Sequence, residues 1–149
     1  MSSDPSDLEP DTRRMHDAFY AEIERRLMPP MRTTHTYRSL DEQLHIWSKG
    51  REKLTGGVWI IVDPKLVVTR AKPGASAHNF HAAFDVCFAS RDPYPRDPDL
   101  WEAVGRVGES VGLVWGGRWK SIVDKPHFEA PNWRDLRRLW EASPEGHLA

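Results

Sequence analysis

Ser76-Ala-His78-Asn-Phe-His81-Ala-Ala-Phe-Asp85-Val-Cys-Phe88 is the stretch on which the reading of this sequence turns. Residues 71–81 read as a loop, and Ala82–Phe88 reads as a buried strand. Inside that strand Asp85 stands between Phe84 and Val86. A carboxylate so placed is costly unless it is paired or binds a metal. His78, in the loop just before the strand, can fold back to reach it. Cys87 is the only cysteine; it reads as a small buried strand residue and excludes an intramolecular disulfide.

The elements on either side follow from patterning. From Asp11, the residues Met15, Phe19, Ile23 and Leu27 form one apolar helical stripe, ended by Pro29-Pro30. Residues 31–37 suggest a short strand. Ser39-Leu-Asp-Glu42 is a capping-box signature for a helix that turns Leu40, Leu44 and Trp47 inward and stops near Gly50. Gly56-Gly57 opens a β region, in which Val58–Val62 and Leu66–Thr69 are expected to pair as a hairpin about Asp63-Pro64. Residues 90–99 form an exposed connection. Its Asp92, Asp97 and Asp99 are either a cation site or simply a solvated loop. Leu100, Trp101, Val104, Val107 and Val111 mark a third helix ending near Gly112. Leu113–Trp119 and Val123–Glu129 read as a final strand pair, and Trp133, Leu136 and Trp140 as a closing helix. Helices and strands mix without βαβ alternation, so the class is α+β: one small domain, an antiparallel sheet flanked by helices. Residues 1–10, with two prolines and three acids, are expected to be a flexible arm, and residues 11–149 the domain.

The chain has 149 residues, enough for one domain that buries about 68–70% of its unfolded surface. Lys plus Arg is 21 and Asp plus Glu is 22, a formal net charge of −1. That balance argues against a dedicated nucleic-acid binder and against a polybasic membrane-surface protein. No apolar run approaches the roughly 18 residues of a spanning helix. The acidic N-terminus lacks the features of a secretory signal, which leads us to expect a protein made in the cytoplasm.

His127, between Pro126 and Phe128, completes a set of two histidines and one carboxylate. Such a set suits zinc with a fourth position left for water. Plainer readings stand beside it: core histidines that only pack, and an Asp85 that pairs with Arg70 or Arg91. Asp124, in Asp124-Lys-Pro-His127, is either a base beside the metal-bound water or a residue that merely starts a turn. Arg38 either stabilises an oxyanion or holds a carboxylate, or is a surface arginine. Most of the seven tryptophans suit packing. Trp115-Gly-Gly-Arg-Trp119 differs, because two glycines between aromatics suggest a bend that exposes a ring to a ligand cleft.

Ser76-x-His78-x-x-His81-x-Ala83-x-Asp85 resembles the Ser-x-His-x-x-Gly-x-Ala-x-Asp motif of the zinc D-alanyl-D-alanine carboxypeptidase and L-alanyl-D-glutamate endopeptidase family. Trp115-Gly-Gly-Arg-Trp119 followed by Asp124-Lys-Pro-His127-Phe-Glu129 resembles its second motif. Tyr37-Arg38-Ser39, Gln43 and Gly50-Arg51 resemble its early segment. The resemblance spans residues 35 to 129. It implies a hedgehog/DD-peptidase-like fold, with Zn2+ held by His78, Asp85 and His127. Asp124 would be the general base and proton shuttle, and Arg38 would steady the carbonyl as it becomes an oxyanion. Ser76 and Gln43 would lie near the substrate or brace the site, and Trp115 would face it. His81 stands where the family has Gly. It is expected to be strained if that position needs a positive φ, or else to face the cleft and contact substrate. His78 rather than His81 keeps the gap to Asp85.

The expected function is hydrolysis of the L-alanyl-D-glutamate bond in peptidoglycan stem peptides. The expected setting is a phage endolysin, held in the host cytoplasm until it is released to the periplasm and cell wall. The expected partner is the stem peptide alone, with no nucleic acid and no membrane insertion, and the protein is expected to be a monomer. A D,D-carboxypeptidase of the same family is the first alternative. A non-catalytic zinc-containing cell-wall-binding module is the second, but it has no need of both Asp124 and Arg38. A metal-free carbohydrate binder using Trp115 and Trp119 leaves Asp85 beside two histidines unexplained.

Overall fold

The computed structural model describes residues 1–143; the last six residues of the domain expected over 11–149 lie outside it. Helix α1 (Pro10–Arg25) starts where the Glu9 carboxylate accepts the amides of Asp11 and Thr12, with Pro10 in its first turn. It buries Thr12, His16, Phe19 and Ile23; of the expected stripe, Phe19 and Ile23 are buried and Met15 is half-buried against the core. Leu27 is the exception. The helix has ended by then, and Leu27 sits exposed in a left-handed turn at φ 53°. Strand β1 (Met31–His35) leads to α2 (Leu40–Trp47), whose Ser39–Glu42 capping box is fully formed. The face of α2 that is buried carries Gln43 and Trp47, while Leu44 is left exposed.

Strands β2 (Arg51–Lys53) and β3 (Trp59–Ile61) form a hairpin with Arg51 opposite Ile61 and Lys53 opposite Trp59. This corrects the expected pairing of 58–62 with 66–69. Gly56 and Gly57, at φ 96° and 90°, supply the turn before β3. Asp63 instead caps a 3-10 turn over Pro64–Leu66. Strand β4 (Ala83–Phe88) is followed by α3 (Pro98–Ser110), whose first turn is capped by Asp97. The final strands β5 (Val114–Trp115) and β6 (His127–Glu129) are shorter than expected, because Gly116–Arg118 form a 3-10 turn. Helix α4 (Trp133–Ala142) closes the domain. No helix among the described residues is long and apolar enough to cross a membrane.

The main sheet runs β1-β4-β6-β5, every neighbour antiparallel. Alternation along a strand sends side chains to opposite faces. Phe84, Val86 and Phe88 of β4 and Phe128 of β6 join Phe19 and Ile23 of α1 and Trp101, Val104 and Val107 of α3 in one core. Asp85, His127 and Glu129 belong to the other face, with Asp85 opposite His127 and Ala83 opposite Glu129. A smaller cluster of Ala77, Phe80, Ala82, Ala83, Ala130 and Trp133 fastens α4 beside that second face.

The N-terminal segment is packed rather than loose. Thr36 N–H donates to the Ser2 carbonyl at 2.8 Å, Ser2 N–H donates to the Tyr37 carbonyl at 3.0 Å, and Leu8 enters the core. Its acids act as caps: Asp4 on the 3-10 turn Pro5–Asp7, and Glu9 on α1.

Candidate metal centre

Three pieces of chain meet on the polar face of the sheet. His78 lies on the 3-10 turn Ala77–Phe80, whose first turn is fixed by Ser76 Oγ accepting the His78 amide at 3.3 Å. Asp85 projects from β4, and His127 from β6 directly opposite. His78 Nε2 is 3.3 Å and His127 Nδ1 is 3.1 Å from Asp85 Oδ1. One ligand atom from each residue lies within 4.8 Å of the others. Ligands about 2.1 Å from a tetrahedral zinc stand roughly 3.4 Å apart, so the span of the set fits that ion.

The hydrogen bonds behind the two imidazoles select which nitrogen faces inward. The Thr36 carbonyl can only accept, so His78 Nδ1–H donates to it at 2.7 Å and Nε2 is left facing Asp85. The Glu129 carboxylate accepts from His127 Nε2–H at 2.7 Å, which leaves Nδ1 facing Asp85. With both imidazoles neutral, as metal ligands must be, the inward nitrogens present lone pairs to a carboxylate oxygen and need a cation among them; without a metal, a proton on His127 Nδ1 fills that role. Outer hydrogen bonds of this kind hold metal-ligating histidines in position. Glu129 is itself held by Trp133 Nε1–H at 3.0 Å.

Charge tells the same story. Burial works to raise the Asp85 carboxyl, yet the His78 charge and hydrogen bonds from His127, His35 and His78 hold it well below the usual carboxylate range. Burial works to lower His127, but its bonds to Asp85 and Glu129 push it up to about 10. A metal ion at this site would take the place of the proton on the inward nitrogen of His127. The partners of Asp85 are histidines (His35, His78 and His127), not Arg70 or Arg91.

Asp124 and Arg38 line the same cleft as the three candidate ligands. The Asp124 amide donates to the Gly116 carbonyl at 3.0 Å, and the His127 amide donates to the Asp124 carbonyl at 3.2 Å. A Cβ at Gly116 would collide with that Asp124 carbonyl, so the second glycine-rich motif is a seat for the Asp124–His127 turn. Burial raises the Asp124 carboxyl, and the Asp85 charge adds to this, against the pull of His127, His78 and Arg38. Arg38 Nη1 donates to Gln43 Oε1 at 3.0 Å, and Gln43 Nε2 donates to the Ala71 carbonyl at 2.7 Å. Arg38 Nε is buried and has no hydrogen-bond partner among the described residues. Burial lowers the Arg38 guanidinium, opposed by Asp85, Asp124 and Glu42.

The other expected substrate contacts divide. Ser76 lines the cleft. Gln43 is fully buried and acts as the brace for Arg38. Trp115 is a correction: its ring lies against Gly105 and Gly117, its Nε1–H donates to the Lys125 carbonyl at 2.7 Å, and it belongs to the core. The tryptophans that line the cleft are Trp119 and Trp133, with the Trp119 ring centroid 4.9 Å from that of His127. His81 is the second correction. It has φ 59°, the positive value expected of the family glycine. Its ring stacks on Tyr37 at 4.1 Å and its Nδ1–H donates to the Asp7 carbonyl at 2.6 Å, so it ties down the N-terminal segment instead of meeting substrate. Two residues escaped the sequence reading. Glu129 could have been found from the alternation His127-Phe128-Glu129, which returns a polar residue to the face of His127. His35, opposite Asp85 in β1 with Nδ1 3.4 Å from Oδ2, had no such signal.

A mixed α+β domain with a His-Asp-His cluster opening to a cleft defines a candidate metal site able to present an ion to a ligand. The family profile described as D-alanyl-D-alanine carboxypeptidase matches residues 69–130. The peptidoglycan L-alanyl-D-glutamate endopeptidase CwlK of Bacillus subtilis is 29% identical over 135 residues, which is 84% of this chain and 74% of that one. The fold is shared with the L-Ala D-Glu endopeptidase ChiX of Serratia marcescens, with TM-score 0.57 and 19% identity over 89% of this chain and 86% of that one. It is shared too with the vancomycin resistance D,D-pentapeptidase VanY, solved in complex with Zn(II), with TM-score 0.59 and 12% identity over 89% and 77%. The matched segment carries Ser76, His78, Asp85, Asp124 and His127, and together these similarities support a metallopeptidase acting on peptidoglycan.

Proposed function

We propose that this metallopeptidase cuts the L-alanyl-D-glutamate bond of peptidoglycan stem peptides, with His78, Asp85 and His127 as zinc ligands. The observation that carries this reading is the pair of imidazoles whose outer hydrogen bonds turn Nε2 of His78 and Nδ1 of His127 toward one carboxylate oxygen. Zinc held there supplies Lewis acidity, polarising a carbonyl and acidifying a water. Asp124, with its carboxyl raised by burial, takes the proton of the attacking water and passes it to the nitrogen of the leaving amine. Its raised value brings it nearer the operating pH, where a general base works best. Arg38, fixed by Gln43 and lining the cleft, donates from its guanidinium to the carbonyl oxygen as negative charge builds on it. Ser76 fixes the turn that carries His78, and Trp119 forms an aromatic wall of the cleft.

The choice of bond is supported by CwlK, which covers most of this chain and whose name states that specificity. We carry the phage endolysin setting, with passage from host cytoplasm to cell wall, as part of the same proposal. The test is a digest of purified peptidoglycan with chelator and with zinc restored, read by mass spectrometry. New amino termini on D-glutamate, lost with chelator and regained with zinc, are expected. Release of terminal D-alanine would instead assign a D,D-carboxypeptidase. A folded, zinc-loaded protein that cuts nothing would overturn the enzymatic assignment. For the endolysin setting, production inside a bacterium together with a membrane-permeabilising pore should cause lysis that neither causes alone.

A further inference from the structure

Arg134 lines the same cleft as His78, Asp85 and His127. It is the second residue of α4. Its guanidinium carbon stands 4.4 Å from the centroid of the Trp133 ring. Trp133 in turn donates to Glu129, the carboxylate that holds His127. The arginine is therefore seated on a ring that belongs to the support of the metal centre.

Its charge has no carboxylate counterpart among the described residues. Arg118, Arg137 and Arg138 each pair with a carboxylate; among the described residues none pairs with Arg134. A cation in the first turn of a helix also opposes the helix dipole. The nearest acid on α4, Asp135, is engaged by Arg138. Local structure gives no reason for a positive charge at this position, whereas a ligand carboxylate would give one. Guanidinium groups take carboxylates through paired, charge-assisted hydrogen bonds.

We propose that Arg134 is a specificity residue that binds a free carboxylate of the peptide substrate, beside the bond that is cut. The inference rests on the L-alanyl-D-glutamate reading above. In a stem peptide the D-glutamate is linked onward through its side chain, and its α-carboxylate is left free beside the scissile bond. Arg134 would hold that group in ground state and transition state alike, so its effect falls on KM rather than kcat.

The experiment uses the full-length zinc-loaded protein and two soluble stem peptides that differ only in an α-carboxylate or an α-amide on D-glutamate. Wild type is expected to favour the carboxylate peptide roughly 10–100-fold in kcat/KM, the range for a hydrogen bond to a charged group. Arg134→Ala is expected to bring the carboxylate peptide down to the level of the amide, mainly through KM, with a much smaller change on the amide peptide and zinc content measured in parallel. Arg134→Lys should restore part of the preference. Equal use of both peptides by wild type, or an equal loss on both in Arg134→Ala with zinc content preserved, would overturn the proposal. Cleavage of terminal D-alanine alone would overturn the bond assignment first, and this ligand for Arg134 with it.

Discussion

The two faces of β4 and β6 are made from alternate residues of the same strands, yet they work against each other energetically. On one face Phe84, Val86 and Phe128 are fully buried against α1 and α3, and each removes apolar surface from water. On the other face Asp85, His127 and Glu129 are buried together, and each would be destabilising alone. The comparison teaches that the apolar face carries stability and the polar face spends it. The polar face is tolerable only because every member is bonded to another or to backbone. Because the faces alternate residue by residue, changes to one should leave the other intact, and four outcomes follow from that separation.

The largest effect belongs to the polar side. Asp124→Asn should lower kcat by about 10²–10⁴-fold, the usual contribution of a general base, while zinc content stays unchanged. Because burial disfavours the Asp124 charge, the thermal midpoint should hold or rise. A coupled loss of zinc or fold would break the separation. On the apolar side, Phe128→Ala should cost about 3–5 kcal/mol in denaturant unfolding. The Phe128 ring lies against Gly108 of α3 and sits between Phe19 and Phe84. The molecules that remain folded should still bind zinc, which a competition titration reads. Glu129→Gln should weaken zinc about 10–100-fold, the range for lost outer-shell support, with little change in the core.

The smallest effect is a pH dependence on the apolar side. Tyr20 donates to or accepts from Thr33 at 2.8 Å, and burial pushes its hydroxyl up to about 12 from an ordinary 10. The unfolded chain therefore loses this proton first. Between about pH 10 and 12 the native state binds more protons, so this group makes stability fall as pH rises. Ultraviolet titration should show late tyrosine ionisation that Tyr20→Phe reduces, and the same substitution should flatten that part of the stability profile.

What could be read from sequence was what a short stretch decides by itself. Asp85 between Phe84 and Val86 announces its cost locally, and Ser39–Glu42 forms the cap that its residues spell out. His78, Asp85, His127 and Asp124 were named from sequence, and the fold brings them to one cleft. What could not be read depends on distant chain. Trp115 is buried because Gly105, on α3, leaves room for its ring. The pairing of β3 turns on two glycines that outweigh the β-branched run after Pro64. The acidic N-terminus looked like an arm because its hydrogen-bond partners lie at Thr36 and Tyr37. Arg38 and Gln43 are a near-sequence pair, but only the fold shows that one braces the other.

We propose that His78, Asp85 and His127 hold one zinc ion, with the two histidines turned by Thr36 and Glu129. Anomalous diffraction at the zinc edge from zinc-loaded crystals would locate that ion. A single strong peak bounded by His78 Nε2, Asp85 Oδ1 and His127 Nδ1 is expected. A peak elsewhere, or coordination through the opposite imidazole nitrogens, would contradict it.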